Sequence, residues 1–217
     1  MTCGGRDRVR SVQLVLKAIE KAGDVEPGVR SDMYAELGSY LTTGRMGSRR
    51  VWALGVLTAL EELPDYGVEG RLSSGGGAPV DADGEMLVIE VPESWEEARN
   101  DGERWRWALA ESVRLKPAKR SQAEEQWARF LVQHYGVTTL SGFGWWSQQE
   151  ESETIAKLAS GVRRFALPED YQFIPLLRRL STGKMSNDSL GDLLVQILLN
   201  RRQHVSAGTE LKRLIET

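Results

Sequence analysis

The stretch 191-GDLLVQILLNRRQHVSAGTELKRLI-215 decides how the rest of the chain is read. Leu194, Val195 and Leu198 recur at helical spacing. The polar run Asn200-Arg201-Arg202-Gln203 interrupts them, and Ala207, Leu211 and Leu214 resume the period. Two short helices joined by a tight basic turn must pack on each other, because each carries only one apolar stripe. Ala207 is the small residue expected where they cross, with Leu194, Leu198, Leu211 and Leu214 packed around it.

The same habit extends towards the N-terminus. TIAKLASGVRRF (154–165) and EDYQFIPLLRRL (169–180) read as a helix pair across Leu167-Pro168, and Pro175 should kink or delay its second member. SQAEEQWARFLVQHY opens on a capping box, Ser121 with Glu124, and sets Ala123, Trp127, Phe130, Leu131 and His134 on one face. Gly136 suits the closing position of that helix. A second capping box, Ser94 with Glu97, starts a helix in SWEE. It meets Asn100-Asp101-Gly102 and restarts as ERWRWALAESVRL before Pro117. Trp105 and Trp107 stand two residues apart, so one enters a core and the other faces a neighbouring element. Tetratricopeptide-type units space their anchors comparably. Gly191, Leu194, Val195 and Leu198 take the first-helix spacing and Ala207 and Leu211 the second, while Ile155, Leu158, Ala159 and Val162 supply only the first half of a preceding unit.

The N-terminal third reads as three amphipathic helices. Residues 7–22 align Val12, Val15, Leu16 and Ile19 and stop at Gly23. Residues 29–43 align Met33, Leu37, Tyr40 and Leu41, and residues 48–63 align Trp52, Val56, Leu60 and Leu63. GVEGRLSSGGGAPVDADG has no helical period and reads as a connector. EMLVIEV (85–91) reads as a strand that pairs with APVD into a short hairpin. The expected architecture is therefore all-α. Antiparallel helix pairs, about nine helices in all, form a tetratricopeptide-like α-solenoid array with one β-hairpin excursion. Three regions are expected: a three-helix cluster over 1–66, the connector and hairpin over 67–92, and a helical-repeat-like region over 93–217.

Composition narrows the function. The net charge is −3, with 28 Lys and Arg against 31 Asp and Glu, so a dedicated nucleic-acid binder is disfavoured. No apolar run reaches the roughly 18 residues that a membrane span needs, and MTCGGRDRVR has no apolar signal core. Cys3 is the only cysteine, and His134 and His204 are the only histidines, a poor kit for zinc. A phosphate loop fails at STGKMS, where Met185 follows Lys184 and Arg178 stands in the place of the first glycine. PVDADGEMLVIE offers Asp81, Asp83, Gly84 and Glu90 at calcium-loop places, but Pro79 holds the first, so it reads as a hairpin turn. No G-x-S-x-G nucleophile elbow occurs. The expectation is a chain with no catalytic residues, metal or cofactor.

The candidate binding residues are cationic and aromatic. Arg-Arg pairs occur at 49–50, 163–164, 178–179 and 201–202, with Lys116, Lys119 and Arg120 between helices. Arg163, Arg164, Arg178, Arg179, Arg201 and Arg202 would bind an acidic partner or RNA if they lined one groove; otherwise they are cations at helix ends. Trp145 and Trp146, in the loop SGFGWWSQQEES, complete the set.

Four segments carry a resemblance: 101-DGERWRWALAESV-113, 127-WARFLVQHYGVTTL-140, 153-ETIAKLASGVRRFALPEDYQFI-174 and 200-NRRQHVSAGTELKRLI-215. In this order, within residues 85–215, they resemble a helical region near the N-terminus of very large bacterial proteins of the alpha-2-macroglobulin family. That family traps proteases, often through an internal thioester made by a C-x-E-Q motif. This chain has no such motif. The resemblance thus implies an accessory, non-catalytic scaffold for protein–protein contacts, in the cell envelope or periplasm. Its partner would be another protein or further domains of the same parent chain. Cys3-Gly4-Gly5 could mark a lipidated start, though no lipobox precedes it. The competing expectation is a small helical regulatory or nucleic-acid-associated domain that uses the Arg-Arg pairs. As part of an array, the last helix pair would carry an apolar face for the next unit, and a chain lacking that unit would dimerise or fray there.

Overall fold

The computed structural model describes residues 4–23, 26–42, 54–61, 63, 88–135, 168–181 and 188–216. Seven α-helices lie among them: α1 Gly4–Ala22, α2 Pro27–Thr42, α3 Asp101–Leu115, α4 Arg120–Tyr135, α5 Phe173–Leu180, α6 Asp188–Asn200 and α7 His204–Glu216. Two 3-10 turns, Pro117–Lys119 and Glu169–Tyr171, precede α4 and α5. The described structure is all-helical, with no strand among the described residues. No described helix is long and apolar enough to cross a membrane. The chain divides into two compact units, 1–123 and 124–217, and the boundary falls in the first turn of α4.

The first unit is organised by α2 against α3. Small residues let the two helices approach. The Ser31 hydroxyl donates to the Ser112 carbonyl at 2.7 Å, and the Ser112 hydroxyl donates to the Ser31 carbonyl at 2.9 Å. Two helical turns further along, a Cβ on Gly38 would meet Trp105 Cδ1 at 3.3 Å. Ser31 opposite Ser112 and Gly38 opposite Trp105 mean that the helices run antiparallel, and Trp105 is only 1% exposed. Trp107 points away, as its spacing requires, and meets Tyr34 and Trp95 edge-on with ring centroids 5.4 and 5.9 Å away. α1 adds Val9 and Val12 to this core and ends at Gly23, whose φ is +40°.

Three expectations for this unit need correction. The helix expected over 48–63 is absent from its described part: a short turn at 54–55 gives way to irregular chain over 56–60. The backbone there bonds to α3 instead. The Asp101 carboxylate takes the Thr58 N–H and hydroxyl, Val56 O accepts from Asp101 N at 3.1 Å, and Arg104 Nη1 donates to Thr58 O at 2.8 Å. Residues 88–91 do not form a strand, and the rest of the expected hairpin lies outside the described residues. The SWEE segment is a turn and not a helix, although Glu97 N does donate to Ser94 Oγ at 3.3 Å. The helix begins at Asp101 under a different cap: Asn100 Oδ1 accepts from Glu103 N, and Glu103 Oε2 accepts from Arg99 N. Helix α3 lies in the first compact unit.

In the second unit, Trp127, Phe130 and Leu131 of α4 are buried, as their spacing predicts. Trp127 stacks on Phe130 with centroids 5.1 Å apart, meets Tyr171 edge-on, and donates its indole N–H to Asp170 O at 3.1 Å. α4 begins directly after the Pro117–Lys119 turn, so Ser121 sits inside the helix and not at its cap. Pro175 delays α5, which starts at Phe173 and so keeps Pro175 within its first turn, where a missing N–H is harmless. The expected helix over 154–165 lies outside the described residues.

α6 and α7 form the antiparallel pair read from the opening stretch, with Leu194, Leu198 and Ala207 buried. The start of α6 meets the end of α7: a Cβ on Gly191 would lie 2.7 Å from Leu214 Cδ2. Leu211, expected in this contact, is instead 47% exposed. The turn closes α6 by a Schellman motif. Gln203 N donates to Leu198 O and Arg202 N donates to Leu199 O, both at 2.9 Å, and Arg202 takes a φ of 57°.

Candidate functional site

Four of the eight expected binding residues are described, and they do not line one basic groove. Arg178, on the last turn of α5, pairs with Glu210 of α7. Its neighbour Arg179 points to α4, where Nη1 meets Glu124 Oε2 at 2.8 Å. Arg201 lays its guanidinium over the Phe173 ring, 5.5 Å from the centroid. Arg202 is exposed at the tip of the α6–α7 turn. Adjacent residues on a helix diverge by about 100°, so Arg178 and Arg179 engage different neighbours. Arg163, Arg164, Trp145 and Trp146 lie outside the described residues.

Glu210 is not among the residues expected from the sequence, and it centres a polar cluster of the second unit. Glu210 is only 5% exposed. Arg213 Nε donates to its Oε2 at 2.7 Å, and Arg178 Nε to its Oε1. Arg213 Nη2 also donates to Ser181 Oγ at 2.8 Å, and Ser181 Oγ donates to Arg178 O at 3.1 Å. Burial pushes the Glu210 carboxyl up. The hydrogen bonds from Arg213 and Arg178 outweigh that push and hold it below its ordinary value. The carboxylate is engaged by two cations and the hydroxyl is engaged as donor and acceptor, so the cluster ties the end of α5 to α7. It presents neither an activated nucleophile nor a base positioned for one.

In the first unit, an open groove of about 420 Å³ is lined by Arg10, Gln13, Leu16, Lys17 and Glu20 of α1 with Leu60 and Glu61. Gln13 Nε2 donates to Leu60 O at 2.6 Å, so part of its polar lining is already engaged. Among the described residues no three His, Cys, Asp or Glu side chains are grouped to hold a metal ion.

The most unusual surface is the outer face of α7. Val205 is 86% exposed and Ile215 76%, more than any other large apolar side chain among the described residues. With Gly208 and Lys212 they form a line at spacings of three, four and three, which is one helix face. A Cβ on Gly208 would meet nothing within 4 Å, and Leu211 borders the line. Ala207, Glu210 and Leu214 occupy the inner side of the same helix. Besides the side that packs inward, α7 thus exposes two large apolar side chains, Val205 and Ile215, on a face they share with Gly208 and Lys212. Helical spacing assigns Leu211 to the inward contact, where the structure does not place it.

No protein-family model, curated protein or solved structure matches the chain.

Proposed function

We propose that the chain is a non-catalytic protein–protein interaction and scaffold module. The observation that carries this reading is the set of exposed apolar side chains on α7, Val205, Leu211 and Ile215. Burying such side chains against a partner is favourable at about 25 cal/mol per Å², and contiguous exposed apolar patches mark interaction sites. The engagement of Arg178 and Arg179 with carboxylates weighs against the nucleic-acid alternative, because those charges are already partly neutralised. We further propose that α6 and α7 are one unit of a tetratricopeptide-like array, a reading supported by their antiparallel packing and buried Ala207. Placement in a parent protein similar to the alpha-2-macroglobulin family rests on the four sequence segments alone.

The test is affinity capture from a bacterial envelope extract, with and without nuclease, using the wild-type chain and Val205→Asp/Ile215→Asp. Capture that is insensitive to nuclease and lost in the variant is the expected outcome. Capture abolished by nuclease and retained by the variant would overturn the reading in favour of nucleic acid.

A further inference from the structure

We draw no further inference here: the strongest candidate, the open groove between α1 and residues 60–61, carries nothing, because its lining sets Arg10 and Lys17 beside Glu20 and Glu61, its Gln13 amide is already bonded to Leu60 O, and nothing in the structure shows what covers it.

Discussion

Two antiparallel helix crossings, α2 with α3 and α6 with α7, solve the same packing problem by opposite means. The first brings its helices together with reciprocal serine bonds and fills the remaining space with one large side chain, Trp105. The second uses aliphatic side chains, one glycine against Leu214, and a three-residue turn. The serine crossing joins helices separated by residues 43–100, so its specificity has to reside in the contact itself. The aliphatic pair inherits its register from the turn, so its side chains only have to fit. A contact made of a few large or polar pieces should fail abruptly when one is removed, and a contact made of many small ones should fail by crowding.

The largest expected effect therefore belongs to Trp105. Trp105→Ala should destabilise by about 3–5 kcal/mol, towards the upper end because the ring is 1% exposed and lies against the backbone of Gly38. Trp127→Ala in the second unit should cost less within that range, since its ring is 9% exposed. Urea denaturation followed by hydrogen exchange in α2 and α6 separates the two. Equal losses would mean that the serine crossing carries more of the first core than Trp105 does.

Crowding comes next. Gly191→Ala puts a methyl 2.7 Å from Leu214, and overpacking of this kind costs about 1–3 kcal/mol unless the leucine moves. Leu214 is a flexible side chain near the end of α7, so Gly191→Ala/Leu214→Ala should recover part of the loss. No recovery would place the strain in the backbone and make the two crossings more alike than argued above.

What the sequence revealed, and what it did not, follows the same physics. Helical period exposed α1, α2, α4 and the α6–α7 pair, because each buries a stripe. It failed over 54–61, where apolar spacing was present but the backbone groups found partners on Asp101 and Arg104. Local period cannot see a side chain that far along the chain. The Asn100 cap was readable as N-x-x-E, but the more familiar S-x-x-E at Ser94 six residues earlier competed with it. At the candidate site, the basic residues were visible and their partners were not. Glu210 looks in sequence like any exposed helix carboxylate, and only the arrival of Arg178 from another helix distinguishes it. The outward exposure of Val205 and Ile215 on α7 is visible only in the structure. Leu211, which helical spacing assigns to the inner contact, lies between the inner and outer faces and is 47% exposed.

The Glu210 cluster gives a pH-dependent effect of intermediate size. Its folded pKa is depressed below the ordinary 4.5. The stability it contributes is thus fully present above that value and is lost as pH falls through the folded pKa. Glu210→Gln should cost about 1–2 kcal/mol at neutral pH and flatten the acid limb of the stability profile below about pH 5. Arg99 with Glu90, a mostly exposed pair in the first unit, is the matched comparison: Glu90→Gln should leave that limb unchanged. If both variants flatten it equally, the acid response is a property of overall charge and not of the buried cluster.

The smallest effect has the opposite sign and tests how far the turn sets the α6–α7 register. Arg202 holds a φ of 57° at the place in a Schellman motif where glycine is the usual residue. A side chain there carries a left-handed penalty of about 1 kcal/mol, which glycine removes, although glycine also gains freedom in the unfolded chain. Arg202→Gly should therefore stabilise by a few tenths of a kcal/mol up to about 1, whereas Arg202→Ala, which keeps the penalty, should stay within about 0.5 kcal/mol of wild type. The same substitution in the Gly191→Ala background is the sharper measurement. If the turn fixes the register, relieving it cannot relieve the crowding at the far end of the pair, and the two effects should add to within about 0.5 kcal/mol. A larger positive coupling would mean that the helices slide when the turn relaxes. The register would then be set by the side chains, as it is in the serine crossing.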